Sequence, residues 1–295
     1  MHSTWVKETF LLPLIIFCLF STSITPLFAQ DSIFKNKEIS HTFYLTANTG
    51  DSNRTDVLEA ISRASKKDKA ASVVLLGNVT DENGYPPKEQ ARESAQDFLR
   101  NDLLEPLKDF NGKILMTPGA NEWNRDAPQS IDDLESFLQD NSNSDFWPDD
   151  GCPIENESIN ELIELVSVDS QWFLEDWDEH PQMNSDCDYK TREEFFIEFK
   201  DDLKDSHGKI IIVAVHHPVM SNKSIPFPRK IVGASPTHFE SNLQTELRGQ
   251  LETLASLFED VIFVSGNHRN LQFLYNGRNP QIVSGAAAHT QRART

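Results

Sequence analysis

Past residue 29 the chain holds no apolar run approaching the roughly 18 residues that a membrane helix needs, so no transmembrane segment is expected in the mature chain. Basic residues are scarce: 27 Lys and Arg stand against 46 Asp and Glu, for a formal charge of -19. That balance repels phosphate backbones and anionic membranes, which argues against nucleic acid as a partner, and otherwise describes a well-solvated exterior. No G-x-S-x-G elbow, phosphate-binding P-loop or dinucleotide fingerprint occurs, and Gly119 and Gly266 read as isolated turn glycines. Repeats and low-complexity tracts are also missing, and no linker forces a second domain.

Cysteine is limited to Cys18, Cys152 and Cys187. Cys18 lies in the apolar run Phe10 to Phe20, which follows Lys7 and precedes Pro26-Leu27-Phe28-Ala29. This is the pattern of a secretory signal peptide over 1–29, cleaved after Ala29, which leaves a single domain over 30–295. Phe17 before Cys18 is not the small residue of a lipoprotein signal. Export leaves an even pair of cysteines, and an oxidising compartment makes a Cys152 to Cys187 disulfide the expected state.

Hydrophobic patterning lays out an α/β chain. Strands are predicted over His41 to Asn48, Ser72 to Leu76, Lys113 to Met116, Leu162 to Val168, Ile210 to Val215, Val261 to Ser265, Leu271 to Tyr275 and Gln281 to Ser284. Helices are predicted over Arg54 to Lys67, with Val57, Ile61 and Ala64 on one face, and over Glu89 to Phe110. Further helices are expected over Ile131 to Leu138, Ser170 to Trp177 with Asp169 or Ser170 as cap, Thr191 to Ser206, and Leu243 to Phe258. Asn141 to Glu157 and Ser221 to Pro236 read as loops, and the early βαβαβ order predicts parallel pairing. Trp172, Phe173 and Trp177 fall at helical spacing and read as core, as do Phe195, Phe196 and Phe199.

Five strands end in polar clusters: Thr46-Ala47-Asn48-Thr49-Gly50, Gly77-Asn78-Val79, Pro118-Gly119-Ala120-Asn121-Glu122, His216-His217-Pro218 and Ser265-Gly266-Asn267-His268-Arg269. Ligands and catalysis gather where the carboxyl ends of strands leave an α/β core, so these clusters form one composite candidate site. In order, they resemble the calcineurin-like metallophosphoesterases, including the purple-acid-phosphatase branch and its exported bacterial members. The stretches Phe43 to Gly50, Val73 to Asn78, Asp169 to Trp177, Val213 to Asn222 and Val261 to Gln272 carry the likeness. It implies a four-layer α/β/β/α sandwich.

The same resemblance implies a two-metal phosphoesterase centre, with ions about 3.5 to 4 Å apart held by His, Asn and Asp. Here Asn48 stands at the first Asp position and Asn78 at the bridging Asp position, while Ala120 replaces the ligand Asn and Asn121 the leaving-group His. Asn267 and Arg269 replace the two His of the last motif, and His216 alone remains as a vestigial metal ligand. Arg269 cannot be deprotonated, and a unit positive charge about 4 Å from another costs on the order of 4 kcal/mol at an effective dielectric of 20. A dinuclear centre is therefore not expected, and no catalytic residue is assigned.

His268, His217, Glu122, Asp81 and Asp51 lie within a few residues of the lost ligands, which leaves open a rebuilt site with one divalent metal (Mn, Fe, Zn or Mg) in an active phosphoric ester hydrolase. Read blandly, His217 is a hydrogen-bonded wall residue, and His268, His180 and His289 are surface histidines. The remaining cluster, Asn48, Asn78, Asn121, His216, His217, Asn267 and Arg269, is neutral to basic. It is expected to hold a phosphate-like small anion through His216, His217, His268 and Arg269 without hydrolysing it. The leading expectation is thus a pseudophosphatase with no cofactor, exported to the periplasm or the cell exterior, acting as a binding or interaction module. An envelope protein partner is expected as a separate chain.

Overall fold

Valine and leucine alternate in direction along β2, Ala71–Leu76, and all six of its residues are buried. A strand buried on both faces needs cover on both, and two hydrophobic clusters supply it. Val73 and Leu75 join one cluster with the helices, and Val74 and Leu76 join a second one. The second cluster also takes Leu115 from β3, Lys113–Thr117, Ile163 and Leu165 from β6, Ile163–Val168, Ile212 and Ala214 from β7, Ile210–Val215, and Val264 from β8, Val261–Ser265. It is the layer between two sheets. The computed structural model describes residues 38–123, 129–177, 187–220 and 241–292, and the folded unit in question spans His41–Thr295. The signal segment, His180 and the expected loop over Ser221 to Pro236 lie outside the described residues.

The first sheet runs β1 (Thr42–Thr46), β2, β3, β4 (Ser144–Phe146), with every pair parallel. The second runs β5 (Ile154–Asn160), β6, β7, β8, β10 (Pro280–Ser284), β9 (Leu271–Tyr275), parallel except at the β5 and β9 edges. Helix α1, Asp56–Ser65, packs on Glu105–Leu107, the last turn of a helix α2 that begins at Glu89, and α3, Gln129–Asn141, packs on β4. Against the second sheet, α4, Ser170–Leu174, and α5, Arg192–Asp205, both pack on α6, Asn242–Ala255. The result is a four-layer α/β/β/α sandwich. Trp172, Phe173, Phe195 and Phe199 are fully buried, each contributing roughly 1.5 to 3 kcal/mol of apolar transfer.

Four sequence expectations need correction. The buried face of α1 is Leu58, Ser62 and Ser65 with Ile61 beside it, while Ala64 is exposed, so the apolar stripe sits one residue from the expected one. Helix α2 begins as Glu89–Phe98, continues as a π-helical stretch Leu99–Leu104 and ends in Glu105–Leu107. Pro106 has no N–H to give a regular α-turn, and the Glu105 N–H reaches back to Arg100 O, so the widened turn accommodates the proline. The expected loop over Asn141 to Glu157 contains β4 and the start of β5. Helix α3 is also longer than Ile131 to Leu138, because Ser142 and Asn141 close its last turn through Leu138 O and Phe137 O. The caps follow the sequence more closely: Asp169 accepts from the Gln171 and Trp172 N–H groups, and Thr191 and Glu194 form a capping box.

Cys152 and Cys187 form a disulfide with a Cα separation of 5.4 Å. Closing a loop of sequence separation 35 removes unfolded-state entropy worth on the order of 3 to 4 kcal/mol. Replacing both cysteines by serine is therefore expected to lower unfolding free energy by about that amount, measured by urea titration of the oxidised protein against the variant.

Acidic residues crowd the same end of the molecule. Burial, then Asp149, Asp150 and Asp132, pushes Glu135 up to about 7, and burial, then Asp149, Glu157 and Asp145, does the same to Glu155. Burial and Glu198 push Asp202 to about 7. Each carboxyl holds its proton more tightly in the folded state than in the unfolded one, so stability is lost as pH rises from the unfolded value through about 7. Denaturant midpoints are expected to be higher near pH 5.5 than near pH 8, and Glu135→Gln is expected to flatten the profile.

Candidate functional site

Parallel pairing puts the carboxyl ends of β1, β2 and β3 side by side, and β7 and β8 end beside each other in the second sheet. The chain must leave these strands sharply, and asparagine tolerates the left-handed backbone better than other non-glycine residues. Asn48 after β1 has φ 59, Asn78 after β2 has φ 55 and Asn267 after β8 has φ 51. Backbone bonds then lock the exits together. Asn48 N–H donates to Gly77 O at 3.0 Å, Gly50 N–H to Asn78 O at 2.9 Å, and Gly266 N–H to His216 O at 3.2 Å.

The side chains form a closed amide network. Asn48 Nδ2 donates to Gly285 O at 2.8 Å and to Asn267 O at 3.4 Å, which leaves its Oδ1 as acceptor for Asn78 Nδ2 at 3.0 Å. Asn78 Oδ1 in turn accepts the Asn121 N–H at 3.0 Å, and Asn121 Nδ2 donates to Thr80 O at 2.9 Å. Backbone groups at both ends fix which amide atom is oxygen and which is nitrogen. Asn48 is 1% exposed, so its amide must be satisfied inside the protein.

Glu122 is the one anion in this network, and the backbone holds it. Its Oε2 accepts from Asn78 N–H and Gly119 N–H, each at 2.8 Å, and its Oε1 accepts from Thr80 N–H at 3.0 Å and Thr80 Oγ1 at 2.8 Å. Four donors saturate a carboxylate, so Glu122 organises the loops after β2 and β3. The sequence offered Glu122 only as a substitute ligand. Next to it, Trp123 Nε1 donates to Asp169 Oδ2 at 2.6 Å and ties this loop to the cap of α4.

His216 is wholly buried, and its Nδ1 lies 2.7 Å from Leu76 O. A carbonyl only accepts, so Nδ1 carries the proton and Nε2 presents a lone pair; burial lowers the ring's pKa and keeps it neutral. Gly119 and Gly266 do more than turn the chain. A Cβ on Gly119 would lie 2.8 Å from both Asn78 and His216, and one on Gly266 would lie 2.2 Å from Leu76 O.

The remaining candidates are spread around this centre. Ala120 is half-buried between Gly119 and Asn121 and brings no polar side-chain atom. Arg269 Nε and Nη2 reach Asp51 Oδ2 at 2.5 Å and Oδ1 at 2.9 Å, a bidentate pair that raises the guanidinium's already high pKa. Asp51 is thus a partner for a misfit cation. His217 Nδ1 lies 2.8 Å from Ser170 Oγ, and its ring meets that of His216 edge-on at 4.9 Å. His268 is half-buried, with its backbone O accepting from Asn270 N–H at 2.7 Å. Arg269's need for a carboxylate was a signal for Asp51 in the sequence, whereas the carbonyl partners Gly285 and Leu76 have no side-chain signature.

Two metal ions bridged by a carboxylate do not fit this donor set. The atoms at the first and bridging positions are amides whose oxygens accept N–H groups and whose nitrogens face carbonyls. Glu122 is saturated, and the Asp51 carboxylate is matched by Arg269. Among the described residues, no group of three or more His, Cys, Asp or Glu side chains comes together as a metal-holding set. Also among them, no helix is long and apolar enough to cross a membrane.

No protein-family model and no curated protein matches the sequence. Solved structures do match the fold. One is GAP50, the anchor in the inner membrane complex of Plasmodium, at 15% identity and a TM-score of 0.58, covering 86% of this chain and 74% of that one. Another is a protein assigned as a 5′-nucleotidase from Staphylococcus aureus, in complex with α-ketoglutarate, at 13% identity and a TM-score of 0.50. That match covers 83% of this chain and 48% of the other, so the chain spans about half of the nucleotidase structure. At these identities the likeness is one of fold alone, that of the two-sheet α/β/β/α sandwich described above.

Proposed function

We propose that this chain is a catalytically degenerate metallophosphoesterase homologue of the exported, purple-acid-phosphatase-like type, acting as a binding or interaction module. The observation that carries the reading is the Asn48 to Asn78 amide pair at 3.0 Å, closed on one side by Gly285 O and on the other by the Asn121 N–H. Phosphoester hydrolysis on this fold needs anionic ligands at those two positions to hold cations, and neutral amides that bond each other cannot supply the charge. Export to the periplasm or cell exterior is supported by the signal pattern over 1–29 and by the Cys152 to Cys187 disulfide. GAP50, which shares the fold, serves as an anchor in a membrane complex, and an envelope protein is the kind of partner proposed here. A phosphate-like anion at Arg269 would have to share a guanidinium whose charge Asp51 already meets, so the module reading rests on protein partners.

One observation favours a second reading: His216 Nε2 is buried with no hydrogen-bond partner among the described residues, as an imidazole awaiting one divalent ion would be. Elemental analysis of the purified protein, with turnover of aryl phosphomonoesters and phosphodiesters under added Mn, Fe, Zn and Mg, separates the two. The module reading expects metal well below one equivalent and no turnover above that of His216→Ala. Stoichiometric metal, with turnover abolished by His216→Ala, would establish the mononuclear hydrolase instead.

The amide network carries its own test. Asn48→Asp places a carboxylate oxygen against Gly285 O and Asn267 O, and is expected to cost about 2 to 4 kcal/mol of unfolding free energy at neutral pH. The loss should shrink as pH falls and the new carboxyl protonates. Urea titration across pH measures it, and an unchanged stability would show that the amide orientation is wrong.

A further inference from the structure

A sheet edge is a row of unpaired N–H and C=O groups, and proteins blunt such edges with charges, prolines, bulges, short strands or cover. Three of the four edges here follow that rule. β4 has three residues. β5 carries Glu155 and Glu157 and a register shift between Ser158 and Asn160. β1 is half-buried along most of its length, and Ser284 Oγ donates to Leu45 O at 2.6 Å. Among the described residues β9 does none of this: Leu271-Gln272-Phe273-Leu274-Tyr275 has no charge and no proline, and it pairs with β10 in unbroken register.

Its exposure alternates. Leu271, Phe273 and Tyr275 are 70%, 72% and 62% exposed and share one face, where Phe273 lies opposite Ile282 of β10. Ile282 packs on the layer between the sheets, so this aromatic stripe is an outward continuation of that layer, past the point where the first sheet stops covering it. The charge of the chain around β9 is opposite to that of the rest of the molecule, although Glu252 reaches Asn276 beyond its Tyr275 end and Asp51 pairs with Arg269 before its Leu271 end, which leaves Arg278 and Arg292 to set the local sign. No Asp or Glu follows Asp260, while Arg269, Arg278, Arg292 and Arg294 do, in a chain of net charge -19. Arg278 follows the Tyr275 end of β9 in the turn to β10, and the Gln291 N–H bonds Arg269 O, which brings Arg292 to the Leu271 end.

We infer that β9 is a docking edge for an extended segment of a partner protein, one with alternating apolar residues and acidic residues at both of its ends. The partner would add a seventh strand to the second sheet, its apolar side chains covering Leu271, Phe273 and Tyr275 and its acids meeting Arg278 and Arg292. Charge decides against a second copy: antiparallel self-pairing centred on Phe273 would bring Arg278 of each copy to the arginine-bearing end of the other. This gives the interaction-module reading a surface. Its test reads binding at β9 alone, so it succeeds or fails independently of what the strand-end site does.

The test uses the mature protein and a fluorescent peptide of four alternating valine-threonine pairs flanked by two aspartates at each end. Anisotropy is expected to show saturable binding that weakens at least tenfold when lysines replace the aspartates or when Phe273→Thr is introduced. Arg278→Glu is expected to narrow the preference for acidic flanks. Circular dichroism and the urea midpoint should be unchanged, since both positions are exposed. Three outcomes overturn the proposal: no saturable binding, binding indifferent to Phe273→Thr, or binding indifferent to the flanking charges. A concentration-dependent dimer in sedimentation that Phe273→Thr abolishes would assign the face to a second copy instead. Co-sedimentation with phosphatidylglycerol vesicles lost in the same variant would assign it to lipid, and either result overturns the acidic-strand proposal.

Discussion

The Asn48 amide joins the two sheets at their polar end. Its oxygen accepts from Asn78 at the end of β2 in the first sheet, and its nitrogen donates to Gly285 just after β10 in the second. Most of the layer between the sheets is apolar, with Ser284 to Leu45 O, Thr117 to Ser167 and His216 to Leu76 O as further polar crossings; apolar side chains are indifferent to small shifts in register, whereas a buried amide with both ends engaged is not. Everything at the strand ends depends on that amide being neutral. A carboxylate carries acceptors only and needs cations or N–H donors around it, but an amide brings both a donor and an acceptor and can close a network with its neighbours.

That difference explains how the charges at the site are settled. Four donors, three of them backbone N–H groups, converge on the Glu122 carboxylate. Arg269 meets the Asp51 carboxylate with two parallel bonds. His216 is neutral, with its proton committed to Leu76 O. A two-metal site balances several carboxylates with four positive charges; this one balances two carboxylates with a guanidinium and oriented peptide groups. Arg269 with Asp51, and Asn48 with Asn78, are thus parts of one charge-balanced set.

The convergence of strand ends was legible because apolar runs and polar clusters alternate plainly along the chain. Elements with weak apolar content were not: β4 is three residues long, and in β5 the half-buried Glu155 and Glu157, on the face shared with Ile159, hide the pattern of a strand paired on only one side. In α1 the apolar stripe passes through Ser62 and Ser65, so a hydrophobicity count placed the face at Val57, Ile61 and Ala64; Ile61 does pack on the core, while Leu58 and Ser65 take the places given to Val57 and Ala64. At the site, residue types were legible but their engagement was not. The groups that orient Asn48 and His216 are carbonyls of Gly285, Asn267 and Leu76, and any residue type can supply a carbonyl. The Asp51 to Arg269 pair spans 218 positions and could be inferred only from the arginine's need for an anion.

Charge is distributed unevenly over the molecule, and the two ends face different physical problems. Around the disulfide, burial and then neighbouring acids raise the pKa values of Glu135, Asp149 and Glu155, a cost to stability that a compact fold would otherwise avoid. Beyond Asp260 there is no acid at all, and the apolar edge strand lies in that stretch. Screening limits exposed charges to about 8 Å at physiological salt, so the acidic end does little to an encounter at β9, where the local arginines set the sign. A uniformly acidic surface would repel acidic segments everywhere. This one repels them over most of its area and admits them at one edge, which is how a charged protein narrows many encounters to a single orientation.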